Sequence, residues 1–202
     1  NGTSGADIVH GLSQAPDLII AKNLGENSTQ WLTSHRSAGL TGDNISGTSV
    51  PEWYELYLNA ETARANNSTD VAAPDGATKI TLGSGDNINK NTISYIMYAW
   101  HNIPGVQKFG SYEGNADDDG PFIYTGHRPR IIWMKGIDST KDWVVVDSGR
   151  DPYNVANKKL YLNSNTTESS SANGQIDILS NGFKFRQSHA MNNAAETYIY
   201  AS

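Results

Sequence analysis

Hydrophobic residues along this chain come in short runs that are rich in β-branched and aromatic side chains and are bounded by Gly, Asn, Asp and Pro. Some runs alternate: Phe183 and Phe185 flank Lys184, which is the pattern of a strand with one buried face and one exposed face. Others, such as residues 18–21, are apolar on both faces and predict central strands. The pattern predicts strands over residues 6–10, 17–22, 30–34, 55–58, 78–82, 93–100, 108–112, 121–124, 130–135, 143–147, 159–162, 175–179, 182–186 and 197–201.

Turn chemistry separates these runs. Asn181-Gly182 is the strongest hairpin signal in the chain. A helical turn is predicted only at residues 59–67, and it is too short to shape the fold. Many short strands joined by frequent turns predict an all-β protein built from antiparallel β-sandwich domains of jelly-roll or lectin-like kind. The sequence does not decide between jelly-roll and immunoglobulin-like connections of the strands.

Three blocks of sequence occur twice in the same order. The blocks are 15–22 with 128–135, 56–59 (Leu-Tyr-Leu-Asn) with 160–163 (Leu-Tyr-Leu-Asn), and 94–96 (Ser-Tyr-Ile) with 197–199 (Thr-Tyr-Ile). The period of about 100 residues matches the size of a folding domain and is too long for a solenoid repeat. The sequence therefore predicts two tandem copies of one β-sandwich module.

The two copies are predicted to span residues 1–103 and 104–202, with a compact joint at residues 102–106. The first copy carries a Gly/Ser/Asn-rich inserted loop at residues 41–54. It lacks the strand that opens the second copy, and the second copy stops within its last strand. We therefore expect the chain to be part of a longer protein.

Composition narrows the classes of partner. The formal net charge of −6 has scattered signs and no basic stripe, which argues against nucleic acid. The apolar runs are far shorter than a membrane span, so no membrane partner is expected. Without cysteine, and with isolated histidines, the chain predicts no disulfide, no metal site and no cofactor.

Six runs of sequence follow an order known from one family of repeats. They include Lys-Phe-Gly-Ser-Tyr-Glu-Gly-Asn at 108–115 and Gly-Pro-Phe-Ile-Tyr-Thr-Gly at 120–126, together with residues 11–20, 147–155, 179–184 and 196–200. In these runs the chain resembles a repeat domain of tail-fibre and related virion proteins of tailed bacteriophages, many of them marine. The resemblance covers nearly the whole chain and both copies.

The resemblance implies a non-enzymatic structural protein of a bacteriophage virion, in a tail fibre, tail tip or capsid decoration, that contributes to host attachment. It places the protein in an extracellular particle with other virion proteins as partners, and it supplies no catalytic residues. Because fibres are commonly symmetric oligomers, we expect a homo-oligomer, and specifically a trimer.

A carbohydrate-binding module that holds a cell-surface glycan is the alternative, because Tyr and Trp rings stack on sugars. Trp53 and Tyr54 close the inserted loop and Tyr153 lies in a turn, so these three are predicted as exposed contacts with a glycan or a partner. Packing at the base of the loop is the competing explanation for them. Three other tryptophans lie in strand patterns and are predicted to be core residues: Trp31, Trp133 and Trp143.

A glycan depolymerase is a third reading, and it needs two carboxylates about 5–10 Å apart in a cleft. The best pairs in the sequence are Asp147 with Asp151 and Glu52 with Glu55. Residues 117–119 place three Asp side chains in one turn, which suits calcium, but their spacing is not an EF-hand and a solvated turn is predicted. No catalytic residue is predicted, and the protein is expected not to be an enzyme.

Overall fold

The computed structural model describes residues 2–67, 69–170 and 174–202, and there it consists of antiparallel β-strands, turns and one short 3-10 helix at Arg36–Ala38. The predicted all-β fold is confirmed. By contacts the chain divides into two compact units, the first formed by Asn1–Asn59 and Arg64–His101 and the second by Ala60–Ala63 and Asn102–Ser202. Within the described ranges, no helix has the length and hydropathy needed to cross a membrane.

The first unit contains a four-stranded sheet, a three-stranded sheet and a hairpin. Its strands are β1 (Ala6–Val9), β2 (Leu18–Asn23), β3 (Trp31–His35), β4 (Leu40–Asn44), β5 (Pro51–Trp53), β6 (Glu55–Tyr57), β7 (Ala72–Asp75), β8 (Lys79–Leu82) and β9 (Tyr95–Trp100). The sheet orders are β6-β3-β2-β9 and β1-β8-β7, and β4 pairs with β5. β2 is buried on both faces, since the consecutive residues Leu18 to Ala21 are each no more than 3% exposed. Buried residues of both sheets, among them Ile19, Leu32 and Ile80, form one hydrophobic cluster.

The second unit contains a six-stranded sheet and a three-stranded sheet. Its strands are β10 (Phe109–Glu113), β11 (Phe122–Tyr124), β12 (Ile131–Gly136), β13 (Trp143–Asp147), β14 (Lys158–Tyr161), β15 (Ser169–Ser170), β16 (Ile176–Leu179), β17 (Gly182–Phe185) and β18 (Thr197–Ala201). The sheet orders are β10-β18-β12-β13-β14-β15 and β11-β17-β16. Side chains of both sheets share one core that is rich in aromatic rings, including Tyr112, Phe183 and Tyr198.

The two units have the same order of strands and the same register. The order β9-β2-β3-β6 recurs as β18-β12-β13-β14, and β1-β8-β7 recurs as β11-β17-β16. In the first unit Asn23 pairs with Tyr95, and in the second unit Gly136 pairs with Tyr198. The repeated sequence blocks thus occupy equivalent places in the two sheets.

The repeated Leu-Tyr-Leu-Asn block ends in an asparagine because that side chain completes the sheet edge. Asn59 Oδ1 accepts from the backbone N–H of Trp31 at 2.9 Å, and Asn163 Oδ1 accepts from that of Trp143 at 2.8 Å. Each side-chain oxygen thus accepts from a backbone N–H group at the start of the neighbouring strand, where the hydrogen bonds between the two strands have ended.

The repeated Tyr-Ile block anchors the loop that precedes its own strand. Tyr198 Oη accepts from the backbone N–H of Asn193 at 3.1 Å and donates to the carbonyl of Ala190 at 2.8 Å. Tyr95 Oη makes the same two kinds of bond to the loop before β9, each at 2.8 Å. The duplicated residues therefore hold equivalent backbone positions in both units.

Each predicted strand overlaps an observed one, and the structure adds strands that the sequence pattern did not predict, namely β4, β5, β7 and β15. Residues 41–54, predicted as an inserted loop, form most of the β4–β5 hairpin. The helical turn predicted at residues 59–67 is wrong, because those residues contain no helix and the helical turn lies at Arg36–Ala38.

The hairpin predicted at Asn181-Gly182 exists, but its two loop residues are Ser180 and Asn181. Gly182 already lies in β17, paired with Leu179. A Cβ at this position would collide with the backbone carbonyl oxygen of Ile123 in β11, so glycine is needed there for the close approach of two strands.

Candidate functional site

Trp53 was predicted to be exposed, and this is wrong. The indole is only 6% exposed and packs against Ile45, Val50 and Val71. The guanidinium carbon of Arg36 lies 5.5 Å from the centroid of the Trp53 ring. The hairpin places this tryptophan in a small hydrophobic cluster. Trp53 therefore packs at the base of the loop, which was the explanation that competed with an exposed contact.

Trp53 nevertheless lies at the edge of a surface groove in the first unit. The groove has a volume of about 550 Å³, and Arg36, Leu40, Pro51 and Pro74 line it together with Trp53. The Arg36 guanidinium is held in place by Asp17, at 2.7 Å from Oδ1, and by the carbonyl of Pro16 at 3.0 Å. The groove therefore has apolar walls and one fixed cation.

Tyr54 and Tyr153 lie in different units. Tyr54 is half-buried, with the guanidinium carbon of Arg64 at 4.9 Å from its ring centroid. Tyr153 is 84% exposed in the loop before β14. The three predicted contact residues therefore do not belong to one site within either unit. Of the three predicted core tryptophans, Trp143 is buried, Trp133 is half-buried and Trp31 is exposed, so that prediction is confirmed for Trp143 alone.

The carboxylates of Asp147 and Asp151 both accept hydrogen bonds from backbone N–H groups. Asp147 accepts from the backbone N–H groups of Gly149 and Arg150 and pairs with the Arg150 side chain at 2.6 Å. Although burial alone would raise it, these hydrogen bonds hold the pKa of Asp147 below its usual value. Asp151 accepts two backbone bonds at 2.7 Å each, from Asn157 and Lys158. Both carboxylates shape the loop that carries Tyr153.

The other pair, Glu52 and Glu55, is buried in the first unit, with exposures of 0% and 2%. Glu52 accepts from Thr41 Oγ1 at 3.3 Å and Glu55 from Tyr57 Oη at 2.8 Å, and among the residues that the structure describes Glu52 Oε1 has no hydrogen-bond partner. Burial, with further repulsion from Asp70 and Glu52, raises the pKa of Glu55 to about 7. A polysaccharide cannot reach carboxyl groups at this depth.

The buried Glu55 predicts an unusual pH dependence for the first unit. Its pKa lies above the ordinary 4.5 in the folded chain, so the folded state keeps a proton that the unfolded state releases as the pH rises from about 4.5 to about 7. Stability contributed by this group is therefore present at pH 4.5 and lost by pH 7. We expect Glu55→Gln to leave stability nearly unchanged at pH 5 and to raise it at pH 8 by roughly 1–2 kcal/mol.

Urea unfolding at the two pH values, with hydrogen exchange to assign the transition to the first unit, measures this difference. Asp75→Asn, which removes an exposed carboxylate from the same unit, is the matched control and should give no comparable gain at pH 8. An equal effect of Glu55→Gln at both pH values would contradict the assignment.

In the second unit, the position equivalent to Glu55 carries a lysine. Leu32 pairs with Tyr57 in the first unit and Val144 pairs with Tyr161 in the second, so Lys159 occupies the strand position of Glu55. Lys159 is only 3% exposed, and burial lowers its pKa to about 8. One buried place in the module thus holds an acid in one copy and a base in the other.

The sequence reasoning did not single out Lys159, although the signal was available. Glu55 and Lys159 both immediately precede the repeated Leu-Tyr-Leu-Asn block, so aligning the two copies places them opposite each other. What the sequence did not indicate was burial, because a charged residue at the start of a strand is ordinarily exposed.

The Asp-rich turn at residues 117–119 is held by one local hydrogen bond and by two contacts with residues 184–188. Asp117 Oδ1 accepts from the backbone N–H of Asp119 at 2.8 Å, Asp118 Oδ1 accepts from that of Ser188 at 3.0 Å, and Asp119 pairs with Lys184 at 2.8 Å. Over the ranges that the structure describes, no group of three or more His, Asp or Glu side chains has the arrangement to hold a metal ion.

Comparison with known proteins gives one family. A family model described as "Domain of unknown function (DUF7483)" matches residues 1–202. Neither a curated protein nor a solved structure matches the chain. The match covers both units and every residue discussed above, and on that basis the chain belongs to the DUF7483 family.

Proposed function

We propose that this chain is a non-enzymatic structural protein of a bacteriophage virion, built of two tandem β-sandwich modules of jelly-roll or lectin-like kind. The observation that carries the proposal is the equivalence of the two units, which share strand order and register as well as the repeated sequence blocks. Elongated virion components are commonly built by repeating one module along the chain. The expected place is a tail fibre, tail tip or capsid decoration, as a symmetric oligomer with other virion proteins.

The composition of the two units supports a scaffold role. Each unit has its own hydrophobic cluster that joins residues from two sheets, so each can present a fixed surface. The polar fraction is dominated by small hydroxyl and amide side chains that satisfy turns, as Asn59 and Asn163 do. Such modules suit a rigid shaft or tip.

The test is to find the protein in particles. Phage particles purified by density gradient are analysed by mass spectrometry and by electron microscopy with an antibody raised against residues 1–202. We expect the chain to co-purify with particles and the antibody to label one fixed structure. Absence of the chain from purified particles, together with a monomeric full-length protein by light scattering, would contradict the proposal.

Contact with a cell-surface glycan is the second candidate function, and the geometry at Tyr153 favours it. The ring is exposed while its loop is fixed, because Asn154 Oδ1 accepts from the backbone N–H of Ile178 at 2.9 Å and Asp151 caps the end of the loop. An exposed aromatic ring on a fixed loop can stack on a sugar without a large loss of conformational entropy.

Tyr153→Ala is therefore expected to reduce binding to surface polysaccharide of the host by about tenfold, the loss of one stacked ring of about 1–1.5 kcal/mol. Binding of the protein to immobilised host polysaccharide measures the change. Tyr124→Ala, which removes another exposed tyrosine of the same unit, is the matched control and should bind as the unchanged protein does. Equal binding by all three proteins would remove Tyr153 from the glycan contact.

A further inference from the structure

The larger sheet of the first unit has one edge that is covered in the second unit. β9 pairs with β2 on one side, and no strand of the described residues pairs with its other side. In the second unit β10 covers the equivalent edge of β18, in antiparallel register from Phe109 opposite Ala201 to Glu113 opposite Thr197. At this edge the two sheets therefore differ by one strand.

The register shows which backbone groups of β9 face the open side. On the β2 side, Leu24 N–H donates to the carbonyl of Ser94 at 2.9 Å. Successive residues of an antiparallel strand direct their backbone groups to one side and then to the other. The N–H and C=O groups of Tyr95, Met97 and Ala99 therefore point away from β2, where they can pair with a further strand.

The second unit shows the equivalent groups in use. Ser202 takes the place of Ala99, since each lies four residues after the repeated tyrosine. Ser202 exchanges two backbone hydrogen bonds with Lys108, at 2.9 Å each. At the other end of this edge, Gly114 N–H donates to the carbonyl of Glu196 at 3.0 Å. A strand added to β9 would make the same kind of ladder.

β10 also brings an aromatic ring into the core of the second unit. The ring centroid of Tyr112 lies 5.0 Å from that of Tyr198, on which it stacks, and 5.2 Å from that of Phe185. Tyr198 is fully buried there, whereas Tyr95, the equivalent residue of the first unit, is only half-buried. In the part of the first unit that the structure describes, no aromatic ring stacks on Tyr95. The core of the first unit is thus less well covered beside its open edge.

The hydroxyl of this tyrosine has a matching acceptor in the first unit. Tyr112 Oη donates to the carbonyl of Met191 at 3.0 Å. Ile88 takes the place of Met191, since each lies seven residues before the repeated tyrosine. Among the described residues no group donates to the carbonyl of Ile88. A tyrosine in the place of Tyr112 would supply that hydrogen bond.

The sequence of β9 does not protect its edge from pairing. Natural proteins commonly place charged residues, proline or a bulge on an exposed edge strand, because these features prevent another strand from adding to it. β9 reads Tyr-Ile-Met-Tyr-Ala-Trp and contains no charge, proline or glycine. Two of its side chains, Ile96 and Tyr98, are largely exposed apolar groups. This composition favours a further strand.

We propose that the open edge of β9 binds an extended peptide strand of the β10 kind, supplied by a polypeptide segment outside residues 1–202. The added strand runs antiparallel to β9 and places an aromatic side chain opposite Tyr95 and beside Leu82, as Tyr112 lies opposite Tyr198 and beside Phe185. Main-chain hydrogen bonds give the affinity in such strand addition, and the inserted side chain gives the specificity. The proposal rests on the equivalence of the two units and not on the virion role.

Binding of a fluorescein-labelled peptide of residues 107–114 to the full chain, measured by fluorescence anisotropy, tests the proposal. The peptide contains the whole of β10. We expect saturable binding of one peptide per chain, and roughly tenfold weaker binding when the peptide carries Tyr112→Ala. Equal binding of the two peptides, or no saturable binding of either, would overturn the proposal.

Two variants of the chain locate the bound peptide. Ala99→Pro removes an N–H group on the open side of β9, where proline is compatible with an edge strand, and should weaken binding by roughly tenfold. Val9→Pro is the matched control in β1, an edge strand of the other sheet. Because His10 N–H donates to the carbonyl of Thr78, the N–H of Val9 faces away from β8, so this variant should bind as the unchanged protein does.

Amide hydrogen exchange of the unchanged protein, followed by NMR, gives a test that needs no variant. The peptide should slow exchange at Tyr95, Met97 and Ala99 and leave Val9 as it was. Slowed exchange in the second unit alone would overturn the proposal. Slow exchange at the same three amides without peptide, in a chain that sedimentation shows to be a dimer, would also overturn it, because a second copy would then occupy the edge.

Discussion

Replacing Asn192 with alanine is expected to lower the free energy of unfolding of the second unit by about 3–4 kcal/mol. The side chain is fully buried and bonds to two stretches of backbone, one at residues 115–117 and the other at Gln187. Its Oδ1 accepts from the N–H of Asn115 at 2.9 Å, and its Nδ2 donates to the carbonyls of Asp117 and Gln187 at 3.0 and 3.2 Å. Alanine leaves these backbone groups without partners in a buried region. Each buried backbone group that loses its hydrogen bond lowers the free energy of unfolding by about 1–3 kcal/mol.

The loss is measured by urea unfolding, with hydrogen exchange to assign it to the second unit. Asn165→Ala, at an exposed position of the same unit, is the control and should change stability by less than about 0.5 kcal/mol. The equivalent Asn89 of the first unit donates in the same way to the carbonyls of Thr3 and Gly83, each at 2.9 Å. A cost for Asn192→Ala no larger than that of the control would show that the asparagine does not hold these loops.

Phe183→Ala is expected to destabilise the second unit by about 4 kcal/mol, since truncation of a buried aromatic side chain removes its burial and leaves a cavity. Phe183 is fully buried, and its ring centroid lies 5.6 Å from that of Tyr200, 6.0 Å from that of Phe185 and 6.2 Å from that of Tyr112. Because Phe183 belongs to the three-stranded sheet and Tyr112 and Tyr200 to the six-stranded sheet, the cavity would open where the two sheets share a core.

Thermal and urea unfolding of Phe183→Ala and of Phe122→Ala provide a matched comparison. Phe122 lies in the neighbouring β11 and its ring is largely exposed, so its truncation should cost less than about 1 kcal/mol. Similar losses for the two variants would contradict a core shared by both sheets at Phe183.

The strands could be predicted from the sequence wherever hydrophobic and β-branched residues cluster. β13 and β18 have the predicted bounds, because three consecutive β-branched or aromatic residues form the centre of each, Val144 to Val146 in β13 and Tyr198 to Tyr200 in β18. β4, β5 and β7 could not be predicted in this way, since they contain glycine or proline and few apolar residues. Their strand conformation comes from pairing with a neighbour, which a local pattern does not record.

The candidate sites were harder to predict, because burial is decided by the tertiary fold. The position of Trp53 at the end of a polar loop suggested an exposed ring, yet the hairpin brings it back onto Ile45 and Val71. Tyr153 is exposed as expected, since the turn after Pro152 projects from the strands. Glu55 and Lys159 are of residue types that are ordinarily exposed, yet both are buried inside their units.

The pairing of the larger sheets has a consequence for synthesis on the ribosome. β2 pairs with β9, and β12 pairs with β18, so each sheet is completed only when the last strand of its own copy has emerged. Contacts so distant along the chain form slowly, and slow formation leaves unpaired strand edges available to wrong neighbours. Since β9 is translated before β12, the sheet of the first copy can close before its near-duplicates appear. The order of translation thereby separates two interchangeable sets of strands in time, which disfavours cross-pairing in the nascent chain.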